Sequence, residues 1–404
     1  MQTNVTDALL KTPQGQQAQS ILRACVHCGF CTATCPTYQL LGDELDSPRG
    51  RIYLIKQVLE GKQPTLKTRT HLDRCLTCRA CETTCPSGVK YAQLVDIGRE
   101  LVEQQVPRGF IESAQRYLLR QIIPYQKRFL FLLTMGRMFK PVLPGFLREK
   151  IPSRQRAAQW PDQTHQRKML VLTGCAQQVV TPRTNSATAS VLNHLGIELI
   201  EAKNAACCGA VSHHLNEKNE TQRFIKQNID AWWPRIEQGV ETIISTASGC
   251  GVMLKDYGHL MADDPQYAEK ARRISELAKD ISEVLSNEHA LVGKLSEKTT
   301  TRAKIAFHSP CTLQHGLQIN GLVENILKQC GYLLTQVNDA HLCCGSAGTY
   351  SILQPALSGK LLNNKVQSLE AEQPDFIVTA NIGCQMHLNT KSSRPVMHWI
   401  ELIE

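Results

Sequence analysis

Residues 25–36 read CVHCGFCTATCP, and residues 75–86, 50 positions further along the chain, read CLTCRACETTCP. Both stretches follow one pattern, C-x2-C-x2-C-x3-C-P, which places four thiols within eleven residues. Thiolates this closely spaced are ligands for soft metals, and the proline after the fourth cysteine turns the chain away from the ligand loop. The two motifs therefore predict a metal-binding N-terminal domain with two equivalent loops.

This spacing is typical of ferredoxins with two 4Fe-4S clusters, in which the fourth cysteine of each run ligates the other cluster. We therefore predict interleaved ligand sets. The first cluster is assigned Cys25, Cys28, Cys31 and Cys85, and the second is assigned Cys75, Cys78, Cys81 and Cys35. A pair of structural zinc sites is the alternative, but zinc sites usually separate their two knuckles by about a dozen residues or more.

Apolar residues at helical spacing accompany these motifs. They recur from Ile52 to Leu59, after the breaker Ser47-Pro48, and predict a helix that joins the two motifs. A second amphipathic helix is predicted over residues 91–106. We therefore expect a helical dicluster domain over residues 1–107.

A longer repeat occupies the rest of the chain. Three landmarks recur in order, a lone cysteine, a CCG triplet and a final cysteine, at Cys175, residues 207–209 and Cys250, and again at Cys311, residues 343–345 and Cys384. In both copies 31 residues separate the lone cysteine from the pair, and 41 or 39 residues separate the pair from the final cysteine. This agreement predicts two copies of one domain, over residues 166–298 and 299–404.

Each copy alternates short β-rich runs with helical stretches, in the order βαβαβ. The predicted strands are residues 168–173, 197–200 and 242–246 in the first copy and 305–308, 332–337 and 376–379 in the second. Ligands of parallel sheets bind beyond the carboxyl ends of the strands, where these cysteines fall, so each copy should bring four thiols toward one crevice. The predicted fold class is an α+β multidomain protein, a ferredoxin-like α-helical dicluster domain followed by two tandem α/β CCG repeats.

Both copies of the longer repeat resemble the cysteine-rich CCG domain of heterodisulfide-reductase-type proteins, and the N-terminal part resembles their 4Fe-4S dicluster domain. Within that class the chain is similar to the iron-sulfur subunits of glycolate oxidases, through ILRACVHCGFCTATCPTYQLLGDELDSPRGRIYLIKQVLEG, HLCCGSAGTY and VTANIGCQMH. The resemblance implies an electron-transfer subunit with two 4Fe-4S clusters. It also implies partner subunits that bind FAD and oxidise glycolate to glyoxylate, with electrons passing to the quinone pool or another membrane acceptor.

The sequence itself favours substrate oxidation on a separate subunit. No G-x-G-x-x-G motif, which would indicate a flavin or nicotinamide site, opens a βαβ unit, and no residue of this chain is assigned a catalytic role. Three alternatives stay open. They are the corresponding subunit of an anaerobic glycerol-3-phosphate or D-lactate dehydrogenase, a heterodisulfide-reductase-like thiol-disulfide reductase, and a zinc scaffold without redox chemistry.

The CCG cysteines have four interpretations: a third iron-sulfur cluster, a zinc site, a redox-active dithiol, or buried structural thiols. If a cluster exists, the second copy is favoured, with ligands Cys311, Cys343, Cys344 and Cys384. Heterodisulfide reductases end this motif with C-x-x-C, whereas here Met253 and His387 replace the last cysteine, which argues against a five-thiolate cluster. Most of the nearby histidines (His308, His315, His341 and His387) are expected to be surface or satisfied core residues, and Cys330 to be a packed core thiol.

The net charge of the chain is +9, and residues 108–156 alone have the same net charge. This segment carries eleven Lys or Arg and only two acidic residues, Glu112 and Glu149. We interpret residues 108–165 as a basic amphipathic linker that contacts a membrane or partner, the alternative being a solvated inter-domain helix. No nucleic-acid partner is expected, since no nucleic-acid fold signature accompanies the charge. Without a secretory signal or a transmembrane run, the chain is predicted to be cytoplasmic and peripheral to the cytoplasmic face of the inner membrane.

Overall fold

The computed structural model describes residues 1–142, 144–148, 151–288 and 303–404. In its N-terminal part the α-helices are α1 (Asp7–Leu10), α2 (Pro13–Ala24), α3 (Phe30–Ala33), α4 (Pro36–Leu41), α5 (Pro48–Leu59), α6 (Leu66–Asp73), α7 (Ala80–Thr83) and α8 (Tyr91–Gln105), with a 3-10 turn at Glu44–Asp46. Each CxxC loop leads into one of the short helices α3 and α7, and α5 and α8 are the two long helices predicted from the apolar spacing.

Capping and close packing explain these long helices. The hydroxyl of Ser47 accepts a hydrogen bond from the Gly50 amide at 3.0 Å, and Pro48 occupies the first turn of α5, where its missing N–H costs nothing. Helix α8 crosses α5 at Gly98, where an added Cβ would come within 2.6 Å of the Ile55 side chain. Helices α5 and α8 thus bury their apolar faces against each other, and this packing holds the ligand loops in place.

The basic segment forms helices α9 (Phe110–Ile122) and α10 (Gln126–Met138), a 3-10 turn at Lys140–Val142 and the short α11 (Gly145–Arg148). Pro124 separates α9 from α10, as expected for a residue that cannot continue a helix. The segment runs from the dicluster part to the first sheet.

The first repeat is a four-stranded parallel sheet with the strand order β2-β1-β3-β4. Its elements are β1 (Arg167–Leu172), α12 (Gln177–Val180), α13 (Arg183–His194), β2 (Ile197–Glu201), α14 (Ala210–His214), α15 (Lys218–Glu237), β3 (Ile243–Ser245), α16 (Ser248–Leu260), α17 (Ala268–Leu277), β4 (Ala278–Asp280) and α18 (Ile281–Ser286). Three strands were predicted. The added edge strand β4 has three residues, too few to give a periodic signal in the sequence.

The second repeat has the same parallel order, β6-β5-β7-β8. Its elements are β5 (Lys304–His308), a π-helical turn (Thr312–Gly316), α19 (Leu322–Gln329), β6 (Leu333–Leu334), α20 (Tyr350–Leu353), α21 (Pro355–Glu370), β7 (Phe376–Thr379), α22 (Ile382–Asn389), β8 (Val396–His398) and a 3-10 turn (Trp399–Leu402). Strand β6 is shorter than the predicted 332–337. The predicted domain boundary at residues 298 and 299 lies outside the described residues.

The two repeats share one core. Met169 and Val171 of β1 pack in the same apolar cluster as Phe307 of β5 and Val378 of β7. Polar contacts join the helices that carry the last cysteines, because the Gly249 amide of α16 donates to Asn381 Oδ1 at 3.3 Å. The strand ends of both sheets are therefore held in a fixed relation to each other.

Candidate metal centres and cysteine-rich crevices

Two adjacent cavities lie at the ligand loops of the N-terminal part. The first is lined by Cys25, Cys28, Cys31 and Cys85, and Cys81 also reaches its wall. The second is lined by Cys35, Cys75, Cys78 and Cys81. Each cavity thus contains the four thiols that were assigned to one cluster from the interleaved pattern, and Cys81 touches both. The donor set in each cavity fits a 4Fe-4S cluster, which takes four thiolates.

The ligand loops have the same backbone conformation in both motifs. The second and fourth residues after the first cysteine have positive φ in each loop, at 55° and 84° for His27 and Gly29 and at 52° and 61° for Thr77 and Arg79. Such turns aim successive amides at one point, and the Thr77 amide lies 3.4 Å from Cys75 Sγ. The strain at Arg79, which is not glycine, is of the kind that folds retain at functional sites.

A buried cation supports the second cavity. Arg51, with 1% exposure, donates to Thr37 Oγ1 at 3.1 Å and to Asp46 Oδ1 at 3.3 Å, and its Nη1 lies 3.9 Å from Cys35 Sγ. Burial pushes the pKa of Cys75 upward, but the charges of Arg51 and Arg99 outweigh it and hold that pKa below its ordinary value. This environment favours the thiolate, which is the form that ligates iron.

The first cavity has a different electrostatic setting. Burial, together with the neighbouring Cys25 and Cys28, raises the pKa of Cys31 to about 11. The nearest guanidinium is that of Arg49, which lines the cavity but pairs with Glu44 at 2.7 Å near the surface. Cys28 is exposed. The first set is therefore the one nearer to solvent, and the second set is the one nearer to buried positive charge.

The second repeat gathers its four predicted thiols at the carboxyl ends of its strands. Cys311 Sγ lies 3.7 Å from Cys343 Sγ, and Cys343, Cys344 and Cys384 are all buried. The turn after the pair needs Gly345, whose φ is +89° and where a Cβ would come within 2.8 Å of the Ser358 carbonyl. The sequence grouping of these cysteines therefore corresponds to one crevice.

The first repeat places Cys175, Cys207, Cys208 and Cys250 in the corresponding positions. Cys207 Sγ lies 3.4 Å from Cys175 Sγ, and Met253 is buried beside the group. Cys250 is half-buried.

The dicluster part touches the second repeat at the thiols themselves. Cys78 lies at the edge of a buried group that contains Leu76, Cys311, Cys343 and Tyr350. The Tyr350 hydroxyl donates to the Arg74 carbonyl at 3.1 Å. The thiols of the second cavity and of the second repeat thus form one continuous region.

The dicluster part touches the first repeat through charged and polar groups. His213 Nε2 lies 3.2 Å from Asp96 Oδ2, and Arg79 pairs with Asp256. Burial opposes ionisation of Asp96, but His213 outweighs it and lowers the pKa of Asp96 to about 2. Burial also lowers the pKa of His213, and Asp96 outweighs that effect, so the pKa of His213 is raised.

Sequence reasoning missed two features of the site. The first is the network of Arg51 and Asp46, since buried charges between the motifs give no periodic signal. The second is His308, which was expected to be an ordinary core or surface histidine. It is buried among the thiols, and burial keeps its pKa well below the ordinary value, so the ring is neutral. Of the other histidines, His315 bonds the His341 carbonyl at 2.9 Å and His387 bonds Ser358 Oγ at 3.0 Å.

The paired cavities and the duplicated crevice define an iron-sulfur protein that has a domain of the dicluster type and two cysteine-rich domains. Family models agree: a 4Fe-4S dicluster domain matches residues 21–89, and a cysteine-rich domain matches residues 169–255 and 305–389. The predicted fold class is therefore confirmed.

Full-length relatives narrow the class. The chain is 54% identical to the glycolate oxidase iron-sulfur subunit of Escherichia coli K12, over 100% of this chain and 98% of that protein. It is 31% identical to the probable glycolate oxidase iron-sulfur subunit of Bacillus subtilis, over 90% and 87%. Lactate utilization protein A of Bacillus subtilis is 24% identical over 58% of this chain and 98% of that protein. The chain belongs to the family of glycolate oxidase iron-sulfur subunits, as the sequence motifs predicted.

Within the residues that the structure describes, none of the helices combines the length and the apolar character needed to cross a bilayer.

Proposed function

We propose that this chain is the electron-transfer subunit of a glycolate-oxidising complex. FAD-binding partner subunits oxidise glycolate to glyoxylate, and the electrons pass through this chain toward the quinone pool. One observation carries the proposal: two cysteine-lined cavities share a wall at Cys81, and the second of them adjoins the thiols of the second repeat through Cys78. When bound, 4Fe-4S clusters supply one-electron transfer.

The residues of this chain hold and tune the clusters in this proposal. Cys25, Cys28, Cys31 and Cys85 hold the first cluster, and Cys75, Cys78, Cys81 and Cys35 hold the second. Arg51 offsets negative charge at the second set, and Pro48 of α5 and Tyr91 of α8 form part of the cavity wall. More positive surroundings raise a cluster potential, so the second cluster is the better electron acceptor.

The ligand assignment is tested by two matched variants. Cys85→Ser should damage the cluster held by Cys25, Cys28 and Cys31, and Cys35→Ser should damage the cluster held with Cys75. EPR of each reduced variant measures which signal is lost. If Cys85→Ser spared the first signal and removed the second, the interleaved assignment would be wrong.

The function is tested by anaerobic mixing of the reconstituted chain with its flavoprotein partner and glycolate. Freeze-quenched EPR should show cluster reduction that requires glycolate, the partner and both ligand sets. If the partner's flavin were reduced and passed electrons to a soluble quinone analogue at an unchanged rate without this chain, the proposal would be contradicted. Replacing glycolate with D-lactate or glycerol 3-phosphate tests the two related alternatives, since a faster cluster reduction with either would reassign the substrate.

We also propose peripheral contact with the anionic cytoplasmic face of the inner membrane, through α9 and α10. Arg108, which precedes α9, and Arg116 of α9 pair with Asp73, whereas Phe110 and Ile111 at the start of α9 are 88% and 83% exposed. On α10, Phe131 is exposed, and Lys127 and Arg128 precede it on the surface. Exposed apolar groups beside exposed cationic residues suit an anionic lipid interface.

Vesicle co-sedimentation tests this contact. The chain should bind phosphatidylglycerol vesicles more tightly than phosphatidylcholine vesicles, and the double variant Phe110→Ser/Ile111→Ser should bind weakly. Equal, weak binding of both proteins to both vesicles would contradict the membrane contact and would leave the face to a protein partner.

A further inference from the structure

The second repeat buries a histidine whose ring nitrogen has no protein partner. His308 is the last residue of β5, three positions before Cys311, and it is 2% exposed. Among the residues that the structure describes, its Nε2 atom has no hydrogen-bond partner. Leaving a buried polar atom unpaired is costly, and such atoms in native folds usually mark an ion, a water molecule or a functional group.

This histidine belongs to the thiol group. The ligand atoms of His308, Cys344 and Cys384 all lie within 4.8 Å of one another. Cys343 directly precedes Cys344 in the chain and lies 3.7 Å, sulfur to sulfur, from Cys311. The crevice therefore presents four sulfur donors and one nitrogen donor, all buried.

Five donors exceed what a single zinc ion takes, because structural zinc sites are almost always four-coordinate. A group with several metal atoms fits the set better, and imidazole does replace thiolate on iron in Rieske-type clusters. Other groups point donors at the sulfurs: the Gly345 amide lies 3.4 Å from Cys343 Sγ, and Asn381 Nδ2 lies 3.5 Å from Cys384 Sγ. Donors of this kind stabilise ligating thiolates.

We propose that His308 is the nitrogen ligand of a third iron-sulfur centre, whose sulfur ligands are Cys311, Cys343, Cys344 and Cys384. The inference rests on the proposed function in one respect, since the contact between Cys78 and this crevice gives the centre an electron donor. A neutral imidazole in place of a thiolate makes the ligand set less negative and raises the potential of the centre. The position and the ligand type therefore suit an acceptor after the second cluster.

The first repeat provides an internal contrast. Leu172 holds the position that corresponds to His308, three residues before the lone cysteine. Its side chain is buried in the apolar cluster with Cys175. The proposed nitrogen ligand therefore belongs to the second repeat alone.

Pulsed EPR on the whole chain, reconstituted anaerobically with iron and sulfide and labelled with 15N-histidine, tests this assignment. The wild-type chain should show a third signal with nitrogen hyperfine coupling, beside the signals of the two cubanes. His308→Ala should lose the third signal and keep the other two. His308→Cys should restore a third signal that lacks the nitrogen coupling and has a lower reduction potential.

His315→Ala is the matched control, because both ring nitrogens of His315 are used elsewhere, by Thr83 Oγ1 at 2.9 Å and by the His341 carbonyl. It should leave the nitrogen coupling unchanged. Persistence of a nitrogen-coupled third signal in His308→Ala would overturn the inference. Iron that only fills the two cubanes, or one zinc ion per chain in the crevice, would overturn it while leaving the dicluster function intact. Absence of the cubane signals from the wild type would instead contradict the proposed function.

Discussion

The two cysteine-rich repeats set the same four thiols at the ends of corresponding strands, but the groups around those thiols differ in chemistry. Leu172 and Met253 of the first repeat correspond to His308 and His387 of the second. Helices α15 and α21 pack against the CCG glycines at Thr221 and Ser358. Seven residues further along each helix, α15 has the neutral Asn228, whereas α21 has Lys365. Lys365 is buried, and its ammonium donates to the Asp339 carbonyl at 2.7 Å. The crevice of the first repeat is thus mainly apolar, whereas the crevice of the second repeat has the two histidines and the buried cation Lys365.

The repeats also differ in how they attach to the dicluster part. The first is attached by ionic contacts such as that of His213 with Asp96, and the second by buried apolar and thiol contacts around Cys78 and Tyr350. A duplicated fold therefore supplies equivalent positions, while a few side chains assign the role. In this account the second repeat continues the electron path and the first repeat is a docked scaffold.

The largest effect on electron transfer is expected from removing the paired cysteines of one repeat at a time. Cys343→Ser/Cys344→Ser should abolish the third centre and slow electron delivery to a soluble quinone analogue by about 100-fold or more, equivalent to about 2.7 kcal/mol in barrier. The matched variant Cys207→Ser/Cys208→Ser should keep the iron content and the rate within a few-fold. Equal losses in the two variants would show that the repeats do not differ in role.

The next prediction compares the stability lost when one arginine is replaced beside each cysteine-lined cavity. The second cavity adjoins the second repeat, and the first cavity does not. Arg51→Met should destabilise the chain by about 3–5 kcal/mol, because it leaves Asp46 buried with one cation fewer. Arg49→Met, beside the first cavity, should cost about 1 kcal/mol or less, because the Arg49–Glu44 pair is near the surface. Urea unfolding followed by loss of cluster absorbance measures both, and similar midpoints would contradict the difference.

A smaller effect concerns pH and the attachment of the first repeat. The pKa of His213 is raised, so the contribution of its protonated ring to the stability of this interface is complete below the ordinary pKa of 6.5. That contribution is lost as the pH rises through the raised pKa. The pKa of Asp96 is lowered, so the contribution of its carboxylate to the stability of the interface is complete above the ordinary pKa of 3.8. That contribution is lost as the pH falls toward about 2. The interface should therefore weaken as the pH rises from about 6 through the raised pKa of His213, because the ion pair with Asp96 is lost.

Hydrogen exchange at the two interfaces measures this dependence. Exchange should increase at α8 and α14 on raising the pH, after correction for intrinsic rates, and His213→Ala should remove the change. Around Tyr350 the pH response should be smaller, because burial lowers the pKa of His315, the histidine that contacts Thr83 at that interface, and so favours its neutral form. A matching pH response at both interfaces would remove the proposed distinction.

The smallest effect is expected from Tyr350→Phe. Losing the bond to the Arg74 carbonyl should cost about 1 kcal/mol. Tyr332→Phe, which loses a 2.9 Å bond to the Leu402 carbonyl away from the interface, should cost a similar amount. Only Tyr350→Phe should increase hydrogen exchange at α20 beyond the global change, and identical exchange in the two variants would contradict a specific interface role.

Much of this architecture was predictable because cysteine spacing is a strong signal. The two motifs from Cys25 and Cys75 specified the dicluster domain, and the recurrence at Cys175 and Cys311 specified the duplicated sheet. The edge strands β4 and β8 were missed because three residues in a sheet leave no periodic pattern. Contacts between domains are set by tertiary packing, so the approach of Cys78 to Cys311 and the placement of His308 beside Cys384 had no local signature.

Iron and acid-labile sulfide analysis of the anaerobically reconstituted chain, with quantitative EPR, is the most direct test of the central claim that the electron path runs through the dicluster part into the second repeat. The account predicts more than the roughly eight iron atoms that two cubanes contain, and three reducible signals. The excess should disappear in Cys343→Ser/Cys344→Ser and persist in Cys207→Ser/Cys208→Ser. About eight iron atoms with two signals, unchanged in both variants, would contradict it.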